Sequence, residues 1–176
     1  MNTTGRDTDP RVRRSCAAII HATGELLTET GVSSITAESI AARAHVSKAT
    51  LYRHWHTLDD LLEDALRDIT TSARPDPSPT EAINDALAAL THYASDPTVV
   101  AAHEALLHLA RQSTRFRQLH AEIHDLTIAD LQHCIEAATR NNELSADIPI
   151  DEHLAHLAGP LLYLTLHPRP TDTSTP

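Results

Sequence analysis

Two apolar stretches with helical spacing, residues 37–44 and 48–55, are separated by only His45, Val46 and Ser47. A connection that short forces two helices of seven or eight residues to fold back on each other, the helix-turn-helix arrangement. Ile40, Ala41, Ala44, Val46 and Leu51 form the seam between them. Ala41 and Ala44 matter by size, since a larger side chain at either would hold the second helix away from the first. Ser47 stands where an N-cap is needed, so the first N–H groups of the second helix can face a phosphate. Lys48, Ala49, Thr50 and Tyr52 fall on the outer face of that helix.

Elsewhere apolar residues recur at intervals of three and four, and no stretch alternates with period two, so an all-α fold of about eight helices is expected. The first helix carries Val12, Cys16, Ile19, Ile20, Thr23, Leu26 and Leu27 on one stripe and stops at Gly31. Thr57 with Asp60 forms a capping box for the fourth, whose inner face holds Leu58, Leu61, Leu62, Ala65, Leu66 and Ile69. The prolines at 75, 77 and 79 cannot sit inside a helix and mark a boundary. Ser78, Pro79 and Glu81 then predict the start of a fifth helix, and Asp96-Pro97 that of a sixth reaching Ala110. A seventh is expected from about Ser113 to Asn141, with Phe116, Leu119, Ile123, Leu126, Cys134 and Ile135 inward, and an eighth after Pro149. The division that follows is 1–56 for the helix-turn-helix module, 57–74 for a linking helix, and 75–176 for a second domain with a disordered tail after 167.

Charge sharpens this division. The chain carries −10 overall, yet residues 1–56 hold seven basic and five acidic side chains, a balance of +2 that leaves −12 for the rest. An acidic body cannot coat nucleic acid over its whole surface, but a small basic face is enough to dock on it. In the second helix of the motif Lys48 can donate to guanine acceptors or to phosphate, Thr50 can bond either kind of base edge, and Ala49 allows close approach to a thymine methyl. Thr36, Tyr52 and His54 are the better candidates for phosphate contacts.

The segment Thr30-Gly31-Val32, the helix Thr36 to Ala44, Val46-Ser47 and Leu51-Tyr52-Arg53-His54-Trp55 running into Leu61 resemble the TetR family of transcriptional regulators, over Arg13 to about Leu66. The resemblance implies a homodimer whose paired N-terminal modules bind a palindromic DNA operator and whose C-terminal domain binds a small effector that releases the DNA. His45 occupies a turn position that the family usually gives to glycine, and it must accept a strained backbone or shift the turn. Leu58 stands where the family usually has a phosphate-contacting lysine, for which Arg43 or Arg53 could substitute. The family's final helix, part of its dimer interface, has no counterpart after His167.

The resemblance places the effector among the helices after the boundary, where Tyr93, His103, Phe116, His120, His124 and Tyr163 are the polar or aromatic candidates. Their neighbours are Leu, Ala, Ile and Val, which favours an apolar effector. Leu154, Leu157, Leu161 and Leu164 form a stripe that Leu162 and Leu166 widen beyond what one neighbouring helix covers, so a dimer through the eighth helix is expected.

Other chemistries find less support. His120/His124 and His153/His156 have spacings that could pair metal ligands, but no HExxH and no nearby cysteine pair accompanies them, so no metal or cofactor is expected. Ser113, His120 and Asp125 could be assembled into a triad only on paper, because four glycines leave no GxSxG elbow or phosphate loop. An enzyme is therefore not expected, and a DNA-binding adaptor that acts through a protein partner is the alternative reading. Cys16 and Cys134 read as small buried hydrophobes. No apolar run approaches the roughly 18 residues that a membrane helix requires, and the chain is expected in the cytoplasm without a membrane partner.

Overall fold

The computed structural model describes residues 10–74 and 82–166, with side chains for all of these except 11 and 161–166. The regular structure among them is helical: α1 (Pro10–Thr30), a single 3-10 turn (Val32–Ser34), α2 (Ala37–Arg43), α3 (Lys48–His54), α4 (Leu58–Ser72), α5 (Ile83–Ala94), α6 (Pro97–Ala110), α7 (Thr114–Arg140) and α8 (Ile150–Leu166). The all-α expectation holds, and the starts of α2, α3, α4, α6, α7 and α8 fall within two residues of the sequence signals that announced them. The exception is α5, which begins at Ile83 with Ala82 as its N-cap and no side-chain cap. The cap expected from Ser78, Pro79 and Glu81 lies outside the described residues, as does the tail after 167.

Local chemistry explains the helix ends. Thr57 accepts from the Asp60 N–H at 3.1 Å while Asp60 accepts from the Thr57 N–H at 3.0 Å, so both orphan donors at the start of α4 are satisfied. α7 closes through Asn142, held at φ 62°, with the Glu143 N–H on the Ala138 carbonyl at 2.9 Å and the Asn142 N–H on the Thr139 carbonyl at 3.1 Å. That pair of bonds is the Schellman closure, and asparagine tolerates the left-handed conformation that it requires.

The described chain divides into two compact units, residues 10–73 with 97–123 and residues 74–96 with 124–166, the latter lacking 75–81. In the first, α1 packs on α6 and α4, and α2 on α1 and α3. Its core joins Ile19, Leu27, Ile40, Leu51, Leu61 and Leu66 to Leu106, Phe116 and Leu119. Gly24 makes the close approach possible: a Cβ there would stand 3.2 Å from the Thr98 methyl and 3.3 Å from Ile69 Cδ1. In the second unit Ala86, Leu90 and Tyr93 of α5, Leu131, Cys134 and Ile135 of α7, and Leu154 and Ala158 of α8 are buried.

These units cut the chain differently from a division at 56 and 74. The linking helix, all of α6 and the start of α7 belong with the N-terminal module, because Ala102, Leu106 and Phe116 complete its core. Prolines show where a helix must stop, but not which core the next helix joins. Leu126, expected inward on α7, is 37% exposed.

Candidate nucleic-acid interface

The motif is built by two caps and one unusual turn. Thr36 caps α2, accepting from the Ser39 N–H at 3.1 Å while Ser39 Oγ accepts from the Thr36 N–H at 3.0 Å. α2 then ends through His45, whose φ of 53° is left-handed. The Val46 N–H donates to the Ala41 carbonyl at 2.9 Å and the His45 N–H to that of Ala42 at 3.2 Å. This is the same Schellman closure as at Asn142, here with a histidine in the position that glycine fills without strain. The turn geometry is thus kept and the strain accepted.

Ser47 caps α3 as expected, accepting from the Thr50 N–H at 3.1 Å. Ile40, Ala41 and Leu51 are buried in the seam, with Ala44 and Val46 partly buried against it. The outer face of α3 exposes Lys48, Ala49, Tyr52 and Arg53, Tyr52 by 47%. Thr50 is half-buried, and its hydroxyl lies 3.0 Å from that of Ser47.

The charges of the module are largely paired within it. Arg43 forms a two-pronged pair with Glu29, at 2.9 and 2.6 Å, and reaches Glu25 at 3.5 Å. Its hydrogen bonds hold the Glu29 carboxyl below the usual carboxylate range. Arg43 therefore ties α2 to α1 rather than standing ready for a phosphate. Lys48 Nζ sits 2.5 Å from Glu38 Oε1, which lowers the Glu38 carboxyl and raises the lysine through that hydrogen bond first. Arg53 is exposed and makes no ion pair among the described residues.

His54 departs from its expected role as a phosphate contact. Its Nε2 is buried without a hydrogen-bond partner, its ring stands edge-on to Trp55 with centroids 5.7 Å apart, and burial followed by the nearby Arg53 charge pushes its pKa below the ordinary histidine value. Desolvation favours the neutral ring, which is a poor partner for an anion. Trp55, itself buried, donates from Nε1 to Asp64 Oδ2 at 2.7 Å and so ties the end of α3 to α4. On α4, Asp60 and Glu63 accept from Arg115 of α7, and Arg67 pairs with Glu122. Arg115 holds the Asp60 carboxyl down.

The effector candidates are divided between the two units. Phe116 is 1% exposed in the core of the first unit, His103 and His120 are half-buried there, and His124 is exposed. His103 Nδ1 lies 3.0 Å from the Val99 carbonyl, a bond within its own helix. Tyr93 lines a cleft in the second unit, between Ala86, Leu90 and Leu131 on the apolar side and Arg74, Thr127 and Asp130 on the polar side. Burial raises the Tyr93 phenol. The cleft measures about 20 Å³, room for one water-sized body. The side chain of Tyr163 lies outside the described residues, as do those of Leu161 and Leu164. Of the leucines assigned to a dimer interface, Leu154 is buried within its own unit and Leu157 is half-buried.

Among the described residues, no group of three or more His, Cys, Asp or Glu could hold a metal, and no helix is long and apolar enough to cross a membrane. Glu38 and Asp64 are the site residues that sequence patterning misses. Each meets its partner on another helix, at ten and nine residues' separation, and no periodicity reports such a pairing.

Comparison with known proteins converges on one family. The profile of "Bacterial regulatory proteins, tetR family" matches residues 19–65, a stretch that holds α2, α3 and the turn between them. The uncharacterized HTH-type transcriptional regulator YdeS of Bacillus subtilis (strain 168) is 33% identical over 85 residues, 48% of this chain and 43% of that protein, so the match spans less than half of the relative's length. A chain from Rhodococcus sp. assigned to the TetR-family regulators superposes with a TM-score of 0.72 at 22% identity, over 86% of this chain and 85% of that one. A TetR transcription regulator from Haloarcula marismortui ATCC 43049 gives 0.66 at 19%, over 86% of each. At such identities the superpositions show a shared fold.

Proposed function

We propose that the chain, whose residues 19–65 match the profile of the TetR family of bacterial regulatory proteins, is a cytoplasmic repressor that binds a palindromic operator as a homodimer and leaves it when a small, largely apolar effector binds. The observation that carries this reading is the outer face of α3. A Ser47-capped helix presents Lys48, Ala49, Tyr52 and Arg53 on a surface free of large aliphatic side chains. Such a face fits a major groove, with Lys48 and Thr50 toward base edges and Ala49 against a thymine methyl. Thr36, Ser47, Tyr52 and Arg53 serve as phosphate contacts, Arg53 standing in for the cation that Leu58 does not supply. Arg43 and His54, committed to Glu29 and to the Trp55 contact, support the helix from behind.

The second unit takes the effector. Its cleft of about 20 Å³ is far below the roughly 300 Å³ of an ordinary ligand site. The effector therefore opens the cleft as it enters, and binding energy that depends on an open form can shift a conformational equilibrium. The dimer uses α8, with the half-buried Leu157 toward the partner. The alternative, an adaptor acting through a protein partner, keeps the same DNA face and has no use for an openable cleft.

Selection of duplexes from a random-sequence library, followed by a gel shift with the recovered sequence, tests the reading. A palindrome whose half-sites lie about 34–36 Å apart, or a small multiple of that, supports it. Recovery of no enriched sequence by a folded protein defeats it.

A further inference from the structure

The chain offers three cations on its helix-turn-helix helices, and two of them already have acidic partners inside the module. Arg43 is held by α1. Lys48, at the start of the helix proposed to enter the groove, is held by Glu38 from the first turn of α2. Both partners of this second pair are more than half exposed, so the pair contributes little to folding. It does, however, place a carboxylate on the DNA-facing side next to the lysine, where a general phosphate-binding surface would exclude one.

We infer that Glu38 is a specificity-determining residue, and that the Glu38–Lys48 pair reads a G·C base pair as a unit. The inference rests on the proposal that α3 enters the major groove. An ammonium has three donors. With one hydrogen kept on Glu38, Lys48 can give the other two to guanine O6 and N7, while the second carboxylate oxygen accepts from a cytosine amino group. At a G·C pair every charge therefore keeps a partner. At an A·T pair the guanine O6 acceptor is replaced by an amino donor facing the ammonium, and the carboxylate finds no cytosine amino group. Against a phosphate Lys48 exchanges one anion for another, and the Glu38 charge is left beside the DNA backbone. The carboxylate thus penalises non-specific contacts more than the right one, which is how a difference of affinities is built by repulsion as well as attraction.

Glu38→Gln keeps shape and hydrogen-bonding capacity but removes the charge. The experiment compares the wild-type chain and E38Q on three kinds of 30-base-pair duplex: the sequence recovered by selection, a series in which each G·C pair in turn is changed to A·T, and an unrelated duplex of equal length. For E38Q we expect tighter binding to the unrelated duplex, discrimination at one G·C position reduced about tenfold, and the salt slope steeper by about one phosphate contact. A thermal melt unchanged from wild type shows that the fold is intact. If E38Q keeps the same preference at every position, and all duplexes tighten by one common factor or do not change, Glu38 is not a reader and the inference falls. If the wild-type chain itself selects no sequence, the DNA-binding proposal falls before Glu38 is tested.

Discussion

Of the largest fully buried side chains, the first unit holds Ile19, Ile40, Leu51, Leu61, Leu66, Leu106 and Phe116, packed beside small ones such as Ala65 and Ala102, whereas the second holds only Leu131 and Ile135 among the described residues, beside buried Ala86, Ala137, Ala138 and Ala158. Ion pairs at the surface of the first unit, among them Arg43–Glu29, Arg67–Glu122 and Arg115 with Asp60 and Glu63, also join its helices. In the second the pair beside the cleft, Arg74–Asp130, is stretched to 3.9 Å. The contrast suits the different mechanical tasks proposed for the two regions. A helix that reads a groove has to be held still, and large interlocking side chains resist displacement because an interior near crystal density leaves them nowhere to go. A region that opens for a ligand needs packing that can be parted at low cost.

Truncation of matched leucines is the strongest way to break this comparison. Leu51→Ala should cost about 4 kcal/mol, because its cavity is sealed by both helices of the motif. Leu131→Ala should cost about 2–3 kcal/mol, because the adjoining cleft lets the site relax or admit water. Urea unfolding of both variants decides it, and a larger loss at Leu131 would mean that the second unit is packed as rigidly as the first.

The two left-handed helix ends sharpen the comparison from another side. His45→Gly should stabilise the fold by about 1 kcal/mol, since only glycine adopts that conformation without a Cβ clash. Asn142→Gly should give no more than a few tenths, since asparagine already tolerates it. Differential scanning calorimetry of the two variants checks this, and a neutral His45→Gly would show that the imidazole makes a compensating contact.

A smaller change in stability, within about 1 kcal/mol, is expected from Ala89→Leu at the wall of the cleft. The variant should keep operator binding while losing release by whatever small molecule releases the wild type. Retained release would move the effector elsewhere.

The smallest effect should come from pH. The folded state lowers the pKa of His54, so the unfolded chain binds its proton more readily. The stability that His54 contributes is therefore complete above the ordinary histidine value of 6.5 and declines as pH falls below it toward the lowered folded value. Stability measured between pH 8 and 5 should fall less steeply in His54→Gln than in the wild type, and identical slopes would assign the pH dependence to the other histidines.

What the sequence determined by itself was everything decided within a turn or two of chain. Ser47 and Thr57 had to be caps, because their hydroxyls reach N–H groups three residues on, and they are. The spacing of Ile40, Ala41 and Leu51 assigned the seam, and three residues between two helices assigned the turn, leaving open whether His45 would accept the strain or shift the turn. These interactions are local, so a periodic pattern records them completely.

Only the tertiary structure decided which of the 24 acidic residues meets which cation. Nothing in the order of residues announces that Arg43 finds Glu29, that Lys48 finds Glu38, or that Arg115 crosses 55 residues to Asp60. Those pairings give Arg43 a carboxylate partner on α1, just as burial encloses the His54 ring nitrogen and packing places Phe116 in the core of the first unit. The physical reason is the same each time. A stripe of residues on a helix tells how much surface must be covered, but the identity of what covers it depends on how the helices cross. That is settled by contacts such as the approach at Gly24, which a glycine permits but cannot by itself predict.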